Sequence, residues 1–183
     1  MKRLLVFAIA STFMAFVPFA GSASAAPNGG GCQLHGTANF SPPLSNTAQN
    51  FSYSFTGNLS NCQSSSGGPA SGTVFAGTNG LPVPIGNGSC ASSTTSGIAV
   101  AQWADGTTTV VNYSTSGAAA AVSLQGGVIG SVTSSNGTTY TTTRYGGDSA
   151  LGALAFEPPD PTACNGAGVT SAGIDGSIVL GSS

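Results

Sequence analysis

Acidic side chains are scarce in this 183-residue sequence, so the ones that cluster draw attention first. Glu157 and Asp160 lie three apart around a proline-rich run, and Asp175 sits on a later segment able to fold back toward them. Two carboxyl groups held about 5–9 Å apart with opposed pKa values are the machinery of glycoside hydrolysis. These three residues therefore define the enzymatic reading, a small secreted glycosidase-like hydrolase. Against it, the chain lacks the means for a large aromatic-lined cleft, and acids beside prolines are ordinary in a solvated loop. His35 is the only histidine. A Ser-His-Asp triad would have to use it, yet it lies mid-strand and no G-x-S-x-G nucleophile elbow is present. A polar residue on an outer face explains His35 better.

Metal chemistry finds little footing. Asp148, Glu157, Asp160 and Asp175 could supply an oxygen cage for calcium, but no D-x-D-x-D-G loop organises them. Asp148 is better read as an exposed partner of Arg144. The four cysteines, Cys32, Cys62, Cys90 and Cys164, form no close pair of the kind zinc requires. No metal and no cofactor are expected.

Binding is the stronger alternative. Trp103, Tyr113, Tyr140 and Tyr145 are amphipathic aromatics of the type that stack on sugars or line a partner interface. The alternation around Trp103 and Tyr113 assigns those two to the core. Tyr140 and Tyr145, set among threonines and glycines with Arg144 beside them, are the surface candidates, with a cell-wall glycan or a protein as partner.

The N-terminus says where the chain goes. Lys2 and Arg3 precede an apolar run at 4–19, and Ala23-Ser24-Ala25 supplies small residues for cleavage. That order is a secretory signal peptide, and the run is too short and too interrupted to span a bilayer. Cleavage after Ala25 leaves 158 of 183 residues, with Arg144 as the one basic side chain against five acids, a net charge of −4. Nucleic acid is excluded, since binding it requires several Lys or Arg to displace counterions. Anionic membrane surfaces are disfavoured for the same reason. The expected location is extracellular, where cysteines oxidise.

The elements that must position these residues are short strands. The stretch 96–117 carries β-branched and aromatic residues on both sides of Asp105-Gly106, a hairpin signal. A two-residue turn there places Trp103 opposite Thr108. A three-residue loop with Gly106 in the left-handed region places it opposite Thr107. The second register is preferred, because it gathers Ala99, Ala101, Trp103, Val111 and Tyr113 on one face. Leu34, Gly36, Ala38 and Phe40 alternate with polar residues until Ser41-Pro42-Pro43 ends the strand. Phe51, Tyr53, Phe55, Gly57 and Leu59 repeat the pattern more clearly.

A third strand is expected at 72–78, then an extended loop at 80–89 holding Pro82 and Pro84. The alanines at 118–121 are too few for a stable helix. Leu124, Val128 and Val132 define one face of a Gly-rich strand, 138–145 a polar one, and Leu154 and Phe156 another. The last strand turns Ile174, Gly176, Ile178 and Leu180 inward and Asp175 and Ser177 outward. About eight strands with regular turn signals indicate an all-β domain, an antiparallel β-sandwich or barrel. With strand directions alternating, Cys32 and Cys62 share one end. Cys90 and Cys164 share the other, on the condition that the Leu124 and Thr138 strands count as separate elements. Parity thus selects the disulfides Cys32–Cys62 and Cys90–Cys164.

The order GTANFSPPL, FTGNLSNC, SGTVFAG, GSC, W-x-D-G-T-T-T-V, E-P-x-x-P-x-x-C and VTSAGIDGSIVL resembles a family of small, mostly uncharacterised exported four-cysteine β proteins of actinobacteria. The likeness rests on strand and cysteine spacing and spans nearly all of the mature chain. It implies an exported, disulfide-bonded β domain and carries over no catalytic residue. The expected organisation is a signal peptide at 1–25, a flexible leader at 26–31 and one β domain at 32–183. The expected function is a secreted, non-enzymatic binding or structural module.

Overall fold

The computed structural model describes residues 29–64 and 67–181, so the signal peptide expected at 1–25 lies outside the described residues. The strands are β1 (Gly30–Leu44), β2 (Gln49–Ser64), β3 (Gly72–Ala76), β4 (Ile85–Gly88), β5 (Ser92–Trp103) and β6 (Thr108–Ala118). They continue with β7 (Ala121–Ile129), β8 (Ser131–Thr133), β9 (Thr139–Thr141), β10 (Ser149–Glu157) and β11 (Val169–Gly181). One 3-10 turn, Ala163–Asn165, precedes β11. Gly30 and Gly31, expected in a leader, already pair with β2 and β11.

All pairings are antiparallel, and the sheet closes on itself because β1 lies between β2 and β11. The result is an eight-strand barrel of β1, β2, β3, β5, β6, β7, β10 and β11, with β4 as an extra strand. β4 continues the position of β3: β3 pairs with Phe55–Leu59 of β2, and β4 with Gln49–Ser52 lower down. A proline-rich segment separates the two pieces, and β4 lies inside the stretch expected to be loop. Its Ile85-Gly86-Asn87-Gly88 sequence has too little β propensity to show without its neighbours.

Period-two alternation explains the barrel walls. Phe51 and Leu59 of β2 are buried, while Asn50, Thr56 and Asn58, out of phase with them, face out. Cross-strand geometry turns every second residue inward, and closure leaves no free edge to protect. The hairpin at Asp105-Gly106 adopts the three-residue loop. Trp103 N–H donates to Thr107 O at 2.9 Å and Gly106 has φ +83°. The Asp105 carboxylate accepts from the Thr107 backbone N–H (3.0 Å) and hydroxyl (2.6 Å), which fixes the turn.

Three local expectations need correction. β1 runs past Ser41-Pro42-Pro43 to Leu44, because Phe40 and Ser41 keep their β2 partners while the β11 register shifts after Asn39. The alanines at 118–121 form no helix, as expected: Ala119 and Ala120 make the turn between β6 and β7, with Ala119 at φ +51°. Val132 leaves the face of Leu124 and Val128. It belongs to β8, which pairs only with β9 in a hairpin outside the barrel. The 138–145 run is consequently not a barrel crossing. The hairpin covers an outer cluster of Phe75, Leu81, Val100 and Val110, and Thr142 and Thr143 hydroxyls accept from Val110 and Thr108 N–H groups.

The disulfides are Cys32–Cys62 and Cys90–Cys164, the expected pairing. The strand count behind that expectation differs, however. Two separate crossings at Leu124 and Thr138 would carry Cys164 to the wrong end. The ends match because the β8–β9 hairpin returns on itself and β10 directly follows β7 in the wall. Cys32 reaches its partner through a register shift in which Asn61, at φ +49°, and Cys62 together oppose it, a β-bulge.

The bridges span 30 and 74 residues, and loop-closure entropy makes them worth about 3.5–4.5 kcal/mol each, the longer loop more. The double variant Cys90→Ser/Cys164→Ser is expected to lose stability in that range in denaturant titration, with β-sheet circular dichroism retained. A loss under about 1 kcal/mol, or a peptide map joining Cys62 to Cys90, contradicts this account.

Candidate functional site

The inward faces carry many small residues. Ala38, Ala76, Ala99, Ala101 and Ala150 line the interior, and Gly36 and Gly57 offer no side chain at all. Phe55 lies over both glycines: a Cβ on Gly36 would sit 2.5 Å from its ring. An eight-strand barrel is just wide enough for side chains to fill it or for one small ligand to be held. With alanine at so many inward positions the filling is incomplete, and a cavity of about 150 Å³ remains. Its walls are almost wholly apolar, including Leu34, Val74, Val111, Leu124, Leu154 and Ile178.

Ser93 and one hydrogen-bonded group of polar side chains interrupt that lining. The Tyr53 hydroxyl is hydrogen-bonded to that of Tyr113 at 2.7 Å and to Thr95 Oγ1 at 3.0 Å. Thr95 Oγ1 is bonded in turn to Thr115 Oγ1 at 2.7 Å. These four hydroxyls form a chain across β2, β5 and β6, and all four residues line the cavity. Burial pushes both phenols above their usual pKa. For Tyr53 the bonds to Thr95 and Tyr113 partly oppose it, while for Tyr113 the neighbouring Tyr53 adds to it. At physiological pH they are neutral donors and acceptors.

The two ends of the barrel are packed differently. At the upper end Trp103 packs edge-on against Tyr145, with centroids 5.7 Å apart, and the Trp103 indole N–H donates to Thr109 Oγ1 at 2.9 Å. Thr109 donates onward to the Arg144 carbonyl at 3.0 Å. The Arg144 guanidinium lies 5.4 Å over Tyr145 and donates to Asp105 at 3.1 Å and to Gly67 O at 2.9 Å. Asp105 is held below the usual carboxylate range by the Thr107 hydroxyl, then the Thr107 N–H, with Arg144 adding to both. At the lower end Phe40 meets Phe51, Tyr53 and Phe156 at centroid distances of 5.9, 6.0 and 5.8 Å. The Cys90–Cys164 bridge packs against the same group.

The residues singled out from sequence are dispersed around this interior. Tyr140 is half-buried and edge-on to Phe75 at 5.6 Å, part of the outer cluster. Tyr145 and Arg144 pack at the upper end, so the three do not make one open aromatic platform. Arg144 pairs with Asp105, not with Asp148. His35 lies on the outer face and pairs across strands with Asp175. Asp160 accepts from the N–H and hydroxyl of Thr162, which hold its carboxyl below the usual range and shape the turn before β11. Glu157 stands opposite Gly173, diagonal to Asp175 on the outer face. Among the described residues, no three His, Cys, Asp or Glu side chains are grouped closely enough to hold a metal ion.

Sequence reasoning missed Tyr53, Thr95 and Thr115 as a unit and placed Tyr113 only in the core. A signal was present. Tyr53 is in phase with Phe51 and Phe55, and Thr95 is in phase with Ala99 and Ala101, so polar atoms had to point inward. Comparison with protein-family models, curated proteins and solved structures finds no match to this chain.

The two raised phenol pKa values predict a specific alkaline weakness. The folded state keeps the Tyr53 and Tyr113 protons that an unfolded chain loses above its ordinary value of 10.0. Their contribution is complete below that pH. It falls as pH rises beyond it, by about 1.4 kcal/mol per pH unit for each phenol. Phenolate absorbance from these two residues is expected only together with loss of the β-sheet signal. A reversible ionisation step in the folded protein that disappears in Tyr113→Phe contradicts it.

Proposed function

We propose that this protein is an exported, non-catalytic binding module whose ligand occupies the barrel interior. The observation that carries this reading is the apolar cavity of about 150 Å³ inside a closed barrel. A largely apolar void of that size accepts a molecule about as large as benzene. The ligand is a small apolar molecule of roughly one ring or a short chain, below the usual range of drug-sized pockets.

Several features support the coarser parts of the proposal. Two disulfides suit an oxidising, extracellular setting. No helix among the described residues is long and apolar enough to cross a membrane. The outer faces carry Gln33, Thr37, Asn39, Thr56 and Asn58, the reverse of the apolar band a membrane barrel presents. None of the side chains lining the cavity is a carboxylate or an imidazole, so the interior holds no general base.

Benzene titrated into the protein is expected to bind saturably, read by calorimetry and by fluorescence of the cavity-lining Trp103. Ala101→Leu fills part of the void and is expected to weaken benzene at least about tenfold, equivalent to about 1.4 kcal/mol. Circular dichroism checks that the variant remains folded. Absence of saturable binding to the wild type refutes the reading.

A further inference from the structure

The interior hydroxyl chain has a donor to spare. Tyr113, Tyr53, Thr95 and Thr115 carry four O–H hydrogens, one on each hydroxyl. Three contacts link them in line, and those three are the hydrogen bonds made by these hydroxyls among the described residues. Each contact consumes one hydrogen, whichever partner donates. One O–H is therefore left over in every arrangement of the protons, and all four residues line the cavity. A donor left unsatisfied in apolar surroundings is costly, and a bound acceptor relieves that cost.

Resting on the reading of the barrel interior as a ligand site, we infer that the ligand carries one hydrogen-bond acceptor and docks it on this hydroxyl chain. The chemical class is a small monocyclic or short-chain molecule with a single carbonyl or ether oxygen. A charged ligand does not fit, because no charged side chain lines the cavity to offset its desolvation. A ligand whose only polar group is a donor competes for acceptor lone pairs and leaves the spare hydrogen where it was. The chain also sets orientation. It spans β2, β5 and β6 on one side of the barrel, while aliphatic Leu154, Ile174 and Ile178 on β10 and β11 line the opposite wall. The oxygen of the ligand faces the first side and its hydrocarbon body the second.

Cyclohexanone and methylenecyclohexane have nearly the same shape and differ in the acceptor, which makes them the probes. The control protein is the near-isosteric variant Tyr53→Phe/Thr95→Val/Tyr113→Phe/Thr115→Val, which removes all four hydroxyls. Removing a single one still leaves a spare hydrogen. The ratio of cyclohexanone to methylenecyclohexane affinity is expected to be about tenfold higher in the wild type than in this variant. The infrared carbonyl band of cyclohexanone bound to the wild type supplies a second measure that needs no variant. It is expected at lower frequency than in hydrocarbon solvent. Binding of methylenecyclohexane with no wild-type ketone preference and a hydrocarbon-like carbonyl band overturns this inference and leaves the interior site standing. Failure of both probes to bind overturns both.

Discussion

Closure of the sheet through β1 is the constraint on which the rest depends. β1 carries β2 on one side and β11 on the other, so the first and last strands of the domain complete each other's hydrogen bonds. Neither strand is left as an edge, and a closed antiparallel ring needs no charged residues to guard against edge-to-edge association. This suits a chain whose charged residues make up only 4% of its sequence. The same closure separates two environments. Side chains alternate between an apolar interior and a surface rich in Ser, Thr, Asn and Gln, with His35 and Asp175 as a cross-strand pair on the outside.

Closure also sets the size of the interior, and the inward residues decide whether it is filled. Alanine and glycine at inward positions are too small to meet across the barrel, so a cavity persists despite the aromatic packing at both ends. The two ends are packed by unlike means. The lower one relies on ring packing beside the Cys90–Cys164 bridge, the upper one on Trp103 and Tyr145 under the Arg144–Asp105 contact. Between them the hydroxyl chain is the main polar feature of the wall, beside Ser93, and its neutral phenols suit it to hydrogen bonding.

Much of the wall was legible from residue order. β2, β5, β6 and β11 each carry a strong apolar alternation, and such strands read correctly because local pattern and tertiary burial agree. The Asp105-Gly106 loop was readable for a related reason: only one register puts the large residues of both strands on one face. Where the pattern was weak the reading slipped. β4 is held by β2 and β5 on either side and has little propensity of its own. The polar β8–β9 hairpin looked like a wall strand, although its few apolar residues, Val132 and Tyr140, serve an outer cluster.

The candidate site was less legible than the fold. Tyr140, Tyr145 and Arg144 were conspicuous because they stand among small polar residues, yet Tyr140 packs on Phe75 and the other two cap Trp103. Residue order by itself determined an all-β domain, the presence of four cysteines able to pair, the inward face of most strands and the scarcity of basic residues, since each follows from local chemistry or from composition. The cysteine pairing read from sequence is correct, on a strand count that the structure replaces. Only the tertiary structure decided that the sheet closes as a barrel and that the small inward residues leave a cavity. It alone brought Tyr53, Thr95, Tyr113 and Thr115 into one hydrogen-bonded chain. These depend on contacts among strands remote in sequence, where neither periodicity nor propensity carries information.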